Sequence, residues 1–315
     1  MSSPASSSGS SPSRRRVSPP LHSALVRQDI DEVLDSEVFV DVNRLRRCAR
    51  QGVPDELRGE VWKYLLGVEK PDRLANEISQ RRARHEAYQE IDKENVDVSK
   101  RVRGEANRYL QRTKKEGLLD PHAAPAMFEA VICAYLNCNN HVEYSPVLVQ
   151  LCAPFVITMK TECDVYSCFE RLVDILSESM LTVNINKRVA QFLSYLRTLL
   201  PELYNYFEEE ELDVGEWASS WLRNLLAKEL PTPCVLLLWD IYFSQPDFVD
   251  FHPFVCLAIL HHLKDSLEDL EQSEIRSMLL RLPKLNILRI VGQAHNIRSE
   301  IQARYGSVAT RRLSQ

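Results

Sequence analysis

The chain has 315 residues, 44% of them hydrophobic and 26% charged, with a formal net charge of -5 and only 9 glycines. These values describe a globular protein and exclude a disordered chain, a collagen-like fibre or a fold built on repeated glycine-rich turns. No GxGxxG and no GxxxxGKS/T occurs, so the chain carries no phosphate cradle of its own. The acidic balance argues against nucleic acid as the main partner. The longest apolar run, Val147 to Met159, is about 13 residues where a membrane span needs roughly 20, so it reads as buried core and no transmembrane segment is expected. The eight cysteines form no CxxC pair, and Cys133, Cys152, Cys234 and Cys256 fall inside apolar patterns. Buried thiols in a reducing, cytoplasmic setting follow, with neither disulfides nor zinc.

Residues 1–22 are mostly Ser, Pro and Arg, have almost nothing to bury and are expected to be a disordered tail. Residues 23–48 read as a lead-in helix. Further on, Met127, Phe128, Val131, Ile132 and Tyr135 mark one apolar helix face. Val189, Phe192, Leu193, Leu196, Leu199 and Leu200 mark another, stopped by Pro201. Trp217, Trp221, Leu222, Leu225 and Leu226 repeat the signature behind Asp213 and Glu216, which have capping-box spacing. Thr232-Pro233 and His252-Pro253 place proline where a helix is expected to begin. The four acids Glu208 to Glu211 read as a solvated turn. From Ser273 a short helix is expected as far as Pro283 and a last one through Ala303, making 291–315 a C-terminal helix and short tail. Alternating strand patterns are nearly absent and no fixed-period repeat is visible. The expected fold is therefore all-α, a dozen or more helices in a single extended array, with the main domain over residues 49–290.

The stretch Arg50 to Gly67 (RQGVPDELRGEVWKYLLG) is a turn at Gly52 to Pro54 followed by an amphipathic helix. Leu57, Val61, Trp62, Leu65 and Leu66 form its buried stripe, and Gly67 ends it. As a string it closely resembles the opening of the TBC domain, the module of most Rab GTPase-activating proteins. Leu200-Pro201-Glu202-Leu203-Tyr204, then Trp217 to Trp221, then Leu230-Pro231 and Leu238-Trp239-Asp240 resemble the second half of that domain in order and spacing. The resemblance covers roughly residues 45–290. It implies an all-helical, roughly V-shaped domain that binds a Rab-type small GTPase in its groove, with GTP and Mg²⁺ belonging to the partner and no cofactor or metal of its own.

Members of this family donate two side chains to the GTPase, an arginine in an Ile-x-x-Asp-x-x-Arg motif and a glutamine in a Tyr-x-Gln motif. A guanidinium delivered in trans neutralises charge that builds on the phosphoryl oxygens in the transition state, an effect on the order of 10³ to 10⁵ in rate. The glutamine aligns the attacking water, which needs one group able both to donate and to accept. The counterpart of the arginine motif here is Val102-Arg103-Gly104-Glu105-Ala106-Asn107-Arg108. Glu105 and Arg108 share a helix face, so the acid can hold the guanidinium in place. Read alone, that is an ordinary exposed ion pair; with the resemblance, Arg108 is the candidate arginine finger, supported by Glu105 and Val102. The glutamine motif departs from the pattern. Tyr144 fits, but Pro146 stands at the glutamine position and has no side-chain donor or acceptor. Gln150, one helical turn on within the apolar run, is expected to be a buried glutamine bonded to backbone. Tyr144, Asn139 and Asn140 are placed along the contact loop. Leu237 stands where the family commonly has an arginine, so Asp240 needs another partner or faces water at a helix end.

His252, His261 and His262 lie close together but lack other residues at ligand spacing, and read as helix-surface histidines. No nucleophile motif is present, so no independent active site is expected. Three functions stay open: a GTPase activator working with one arginine, a module of the same fold that binds GTPases or scaffolds without catalysis, and a helical adaptor with no GTPase partner. Membranes would be reached through the partner or through the basic tail.

Overall fold

The computed structural model describes residues 21–73, 77–182 and 184–312. The expected tail lies outside them up to residue 20, while Leu21 and His22 open the first helix. The lead-in expected as one helix is two, α1 (Leu21–Leu34) and α2 (Val42–Ala49). The break comes at Asp41, whose side chain accepts the Arg44 N–H at 2.9 Å and so starts a new helix. Arg44 reaches back to Asp29 at 3.0 Å and Glu32 at 2.7 Å, tying α2 to α1.

Pro54 enters α3 (Asp55–Leu66) and Gly67 leaves it in the left-handed region at φ 78°. Val61, Trp62, Leu65 and Leu66 are buried as the stripe requires. Next come α4 (Glu77–Glu90) and α5 (Val96–Thr113), the latter capped by Asn95 and followed by a single 3₁₀ turn, Lys114–Glu116. The largely apolar α6 (Ala124–Cys138) and α7 (Val147–Thr158) pack on α5 and on α8 (Glu162–Thr182). The second half holds α9 (Ile185–Leu199), α10 (Pro201–Glu209), α11 (Val214–Asn224), α12 (Thr232–Phe243), α13 (Phe248–Leu267), α14 (Gln272–Leu280) and α15 (Ile287–Arg312). Among the described residues the one extended pairing is an isolated bridge between Phe39 and Asp72. No helix there is long and apolar enough to cross a membrane.

Two aromatic clusters anchor the array. Trp62 of α3 lies 5.7 Å from Phe155 of α7, and 6.1 Å from Trp239 and 5.0 Å from Phe243, both of α12. Trp217 meets Phe192 at 5.9 Å, Phe207 at 6.1 Å and Trp221 at 5.0 Å, joining α9, α10 and α11. Except for the tilted Trp62–Trp239 pair these are edge-to-face, and aromatic pairs of that kind are worth about 0.5–1.5 kcal/mol each beyond the area they bury.

Several local expectations are corrected. Asp213 does cap α11, but Glu216 pairs with Arg276 of α14 (Nε to Oε2 2.8 Å) and does not close a box. A reciprocal box forms instead between Glu271 and Glu274. Pro233 sits in the first turn of α12 as expected, whereas Pro253 lies inside α13, which already begins at Phe248. The carbonyl that Pro253 leaves without an N–H, that of Val249, accepts from Arg188 at 3.4 Å. His261 and His262 are exposed, but His252 is 2% exposed and belongs to the core.

Candidate functional site

Helix α5 carries the site. Val102, Ala106 and Tyr109, spaced 4 and 3 apart, are buried and fasten the helix to the core. Glu105, Arg108 and Arg112 follow the same spacing on the adjacent face, at the border between core and solvent. Val102, fully buried, therefore supports the helix from within.

The Arg108 side chain is 69% exposed and its Nε and Nη2 donate to Glu105 Oε2 at 2.8 and 2.6 Å. Glu105 is 13% exposed, and its other oxygen accepts from Gln150 Nε2 at 2.8 Å. The carbonyl oxygen of Gln150 in turn accepts from Arg112 Nη2 at 2.6 Å. Gln150, 1% exposed on α7, is thus bonded to side chains of α5 and not to backbone as expected. Two charged partners were available because Glu105 and Arg112, about two helical turns apart on one face of α5, both reach Gln150 of α7. A signal for this exists in the sequence: a lone amide in an apolar run demands partners, and Glu105, Arg108 and Arg112 share one face.

The loop before α7 is fastened to the same helix. The Tyr144 ring lies under the Arg101 guanidinium at 4.5 Å, and its hydroxyl donates to the Arg101 carbonyl at 3.2 Å. Burial, helped by the nearby Glu105 carboxylate, pushes the Tyr144 phenol above its ordinary value. Pro146 is exposed at the N-cap of α7, with φ -55°. Asn139 ends α6: its amide donates to the Tyr135 carbonyl at 2.9 Å and its own carbonyl accepts the Val142 N–H at 2.8 Å, so it shapes the loop. Asn140 next to it is exposed. Lys100, Arg101 and Arg103 add exposed positive charge along α5, Arg103 pairing with Glu129. An open groove of about 530 Å³ lies along the C-terminal part of α5, lined by Asn107, Leu110, Gln111, Lys114 and Leu118 among others but not by Arg108.

Asp240 is elsewhere. It is fully buried on α12 and accepts from the Val53 N–H at 2.8 Å, Trp62 Nε1 at 2.7 Å and Arg58 Nε at 3.1 Å. Of the two places expected for it, the one with another partner is found, and that partner is Arg58 of the opening motif. Burial pushes the Asp240 carboxyl up to about 6 against the pull of Arg58 and its other donors. Arg58 was missed as a site-supporting residue although it lies four before Trp62, on the buried stripe, where an arginine requires an acid. Leu237, at the position of the absent arginine, packs over the turn: a Cβ on Gly52 would lie 2.8 Å from Leu237 Cδ1.

The chain is similar to known proteins in sequence and in fold. Residues 55–268 match the RabGAP-TBC family, the Rab-GTPase-TBC domain. TBC1 domain family member 22B of Homo sapiens is 24% identical over 276 residues, covering 78% of this chain and 54% of that protein. The GTPase-activating protein gyp1 of Schizosaccharomyces pombe is 23% identical over 286 residues, 80% of this chain and 55% of its own length. The chain spans about half the length of these curated relatives. In fold it is similar to the crystal structure of the Ypt/Rab-GAP domain of Gyp1p, with a TM-score of 0.73 at 18% identity over 89% of this chain and 99% of that one.

Proposed function

Since the chain belongs to the Rab-GTPase-TBC domain family, we propose that it is a GTPase-activating protein for a Rab-type small GTPase, accelerating hydrolysis of the partner's GTP by inserting Arg108. The observation that carries this reading is the state of Arg108: exposed, yet held by two hydrogen bonds on a carboxylate that is itself nearly buried. A guanidinium so placed is free to leave Glu105 for a more negative acceptor, and the phosphoryl group in its transition state is such an acceptor. The exposed Lys100 and Arg101, and the groove at the C-terminal end of the same helix, offer an anionic, partly apolar surface somewhere to rest. GTP and Mg²⁺ are supplied by the partner, and the attacking water is aligned by a group of the GTPase, because Pro146 has none to offer.

Pro146 favours a second reading, a domain that binds GTPases or scaffolds them without catalysis. Hydrolysis by a panel of GTP-loaded Rab GTPases, with wild type and Arg108→Ala side by side, decides between the two. We expect stimulation of at least one GTPase, lost by on the order of 10³-fold or more in Arg108→Ala while binding is largely kept. Binding without stimulation by the wild type establishes the second reading, and unchanged stimulation in the variant sinks the assignment of Arg108.

A further inference from the structure

A surface arginine paired three residues away on its own helix is ordinarily a loose arrangement, since both side chains are long and water competes for both. The pair at Arg108 differs in what lies beneath it. Glu105 divides its two oxygens between opposite sides: Oε2 takes both donors of Arg108 from the solvent side, and Oε1 takes the amide of Gln150 from the core side. A carboxylate held at both oxygens cannot rotate, and the direction in which it presents Oε2 fixes the plane of the guanidinium.

The orientation of the Gln150 amide is itself determined. Arg112 can only donate and the Glu105 carboxylate can only accept, so the amide oxygen must face Arg112 and the nitrogen must face Glu105. Every member of the series Arg112, Gln150, Glu105, Arg108 thus has its donor opposite an acceptor. Gln150 is 1% exposed, sits on a helix whose neighbouring side chains Val149, Leu151 and Cys152 are all buried, and has no route to a partner's nucleotide.

We infer, on the reading that Arg108 acts in trans, that Gln150 is a positioning residue for Arg108, holding Glu105 from the core so that the guanidinium is presented in one orientation before the GTPase arrives. It does not replace the glutamine missing at Pro146. The arrangement pre-organises the one group the chain contributes, which lowers the ordering cost at the moment of encounter.

The test removes the amide without removing volume. Gln150→Leu is expected to lower the maximal stimulated hydrolysis rate of a responsive GTP-loaded Rab GTPase about 10-fold to 100-fold, the scale of a misplaced catalytic group, with its Kd changed less than about twofold. In an Arg108→Ala background the same substitution is expected to add nothing, because the two act through one path. A further loss in that background overturns the proposal, since Gln150 would then act by itself on water or on the fold, and so does an undiminished rate in Gln150→Leu alone. Gln150→Met, similar in length and without the hydrogen bonds, serves if the leucine variant does not fold. Independently of any partner, the Arg108 Nε–H resonance of the free protein is expected to exchange slowly with water in wild type and faster in either variant; equal exchange overturns the coupling. If exchange responds but Arg108→Ala leaves hydrolysis intact, the reading of Arg108 as the finger has failed and the coupling between the residues has not.

Discussion

Asp240 receives hydrogen bonds from donors of the opening motif alone: a backbone N–H, an indole and a guanidinium. Replacing it with asparagine removes the charge opposite Arg58 and turns an amide NH₂ toward one of those donors, while the buried guanidinium keeps the Val53 carbonyl, Asp55 and a neutral amide oxygen in place of a carboxylate. Breaking a buried pair from one side costs about 3–5 kcal/mol. Asp240→Asn is accordingly expected to lower the unfolding free energy from urea titration by that amount, seen as a lower midpoint with an unchanged m-value, and a loss below about 1 kcal/mol contradicts the account. The residues of this pair were visible in the sequence but their pairing was not. Arg58 and Asp240 lie 182 positions apart, and helical spacing ties a residue only to its neighbours a turn away. Arg108 and Glu105 fall within one turn, and for them spacing was enough. Gln150 could be seen as a polar residue in an apolar run, but its partners on another helix could not.

Among the elements, periodicity located α6, α9 and α11 well because each carries an apolar face, and Pro233 marked the start of α12. Proline placement alone was the weaker guide. It failed at α13, where Pro253 was taken for a helix start. Proline is tolerated inside because Arg188 of α9 bonds the carbonyl it leaves vacant, and that contact is tertiary. His252 beside it was taken for a surface residue and instead joins three helices: its Nε2–H donates to the Trp221 carbonyl at 2.9 Å, and its Nδ1 accepts from the Tyr242 hydroxyl at 2.7 Å. Burial lowers its pKa from 6.5 to about 4. The unfolded chain therefore binds a proton near pH 6.5 that the folded chain refuses until about pH 4, so this contribution to stability is complete above 6.5 and is lost as pH falls through that window. Its size is about 3 kcal/mol at 1.36 kcal/mol per pKa unit. Denaturation of wild type and His252→Gln across this range is expected to show a steeper acid loss in wild type by roughly that amount; parallel curves contradict it.

At the scale of the whole molecule the Trp62 cluster holds α7 against α3 and α12, the buried Val102, Ala106 and Tyr109 fasten α5 to the core, and the proposed chemistry depends on the register of α5 against α7. The all-α class and the family were legible because the Gly52 to Gly67 string and the Trp239-Asp240 pair are dense core signatures, kept by packing whatever the surface does. How the site is braced was not legible, because it is made between helices. The central claim is that Arg108 meets charge present only in the transition state. The most direct measurement compares the affinity of this chain for a responsive Rab GTPase loaded with GDP alone and with GDP plus aluminium fluoride, which mimics the phosphoryl group in flight. Wild type is expected to bind the fluoride state at least about 10²-fold more tightly, and Arg108→Ala is expected to lose that preference. Equal affinity for both states in wild type, or a preference that survives in Arg108→Ala, contradicts the account.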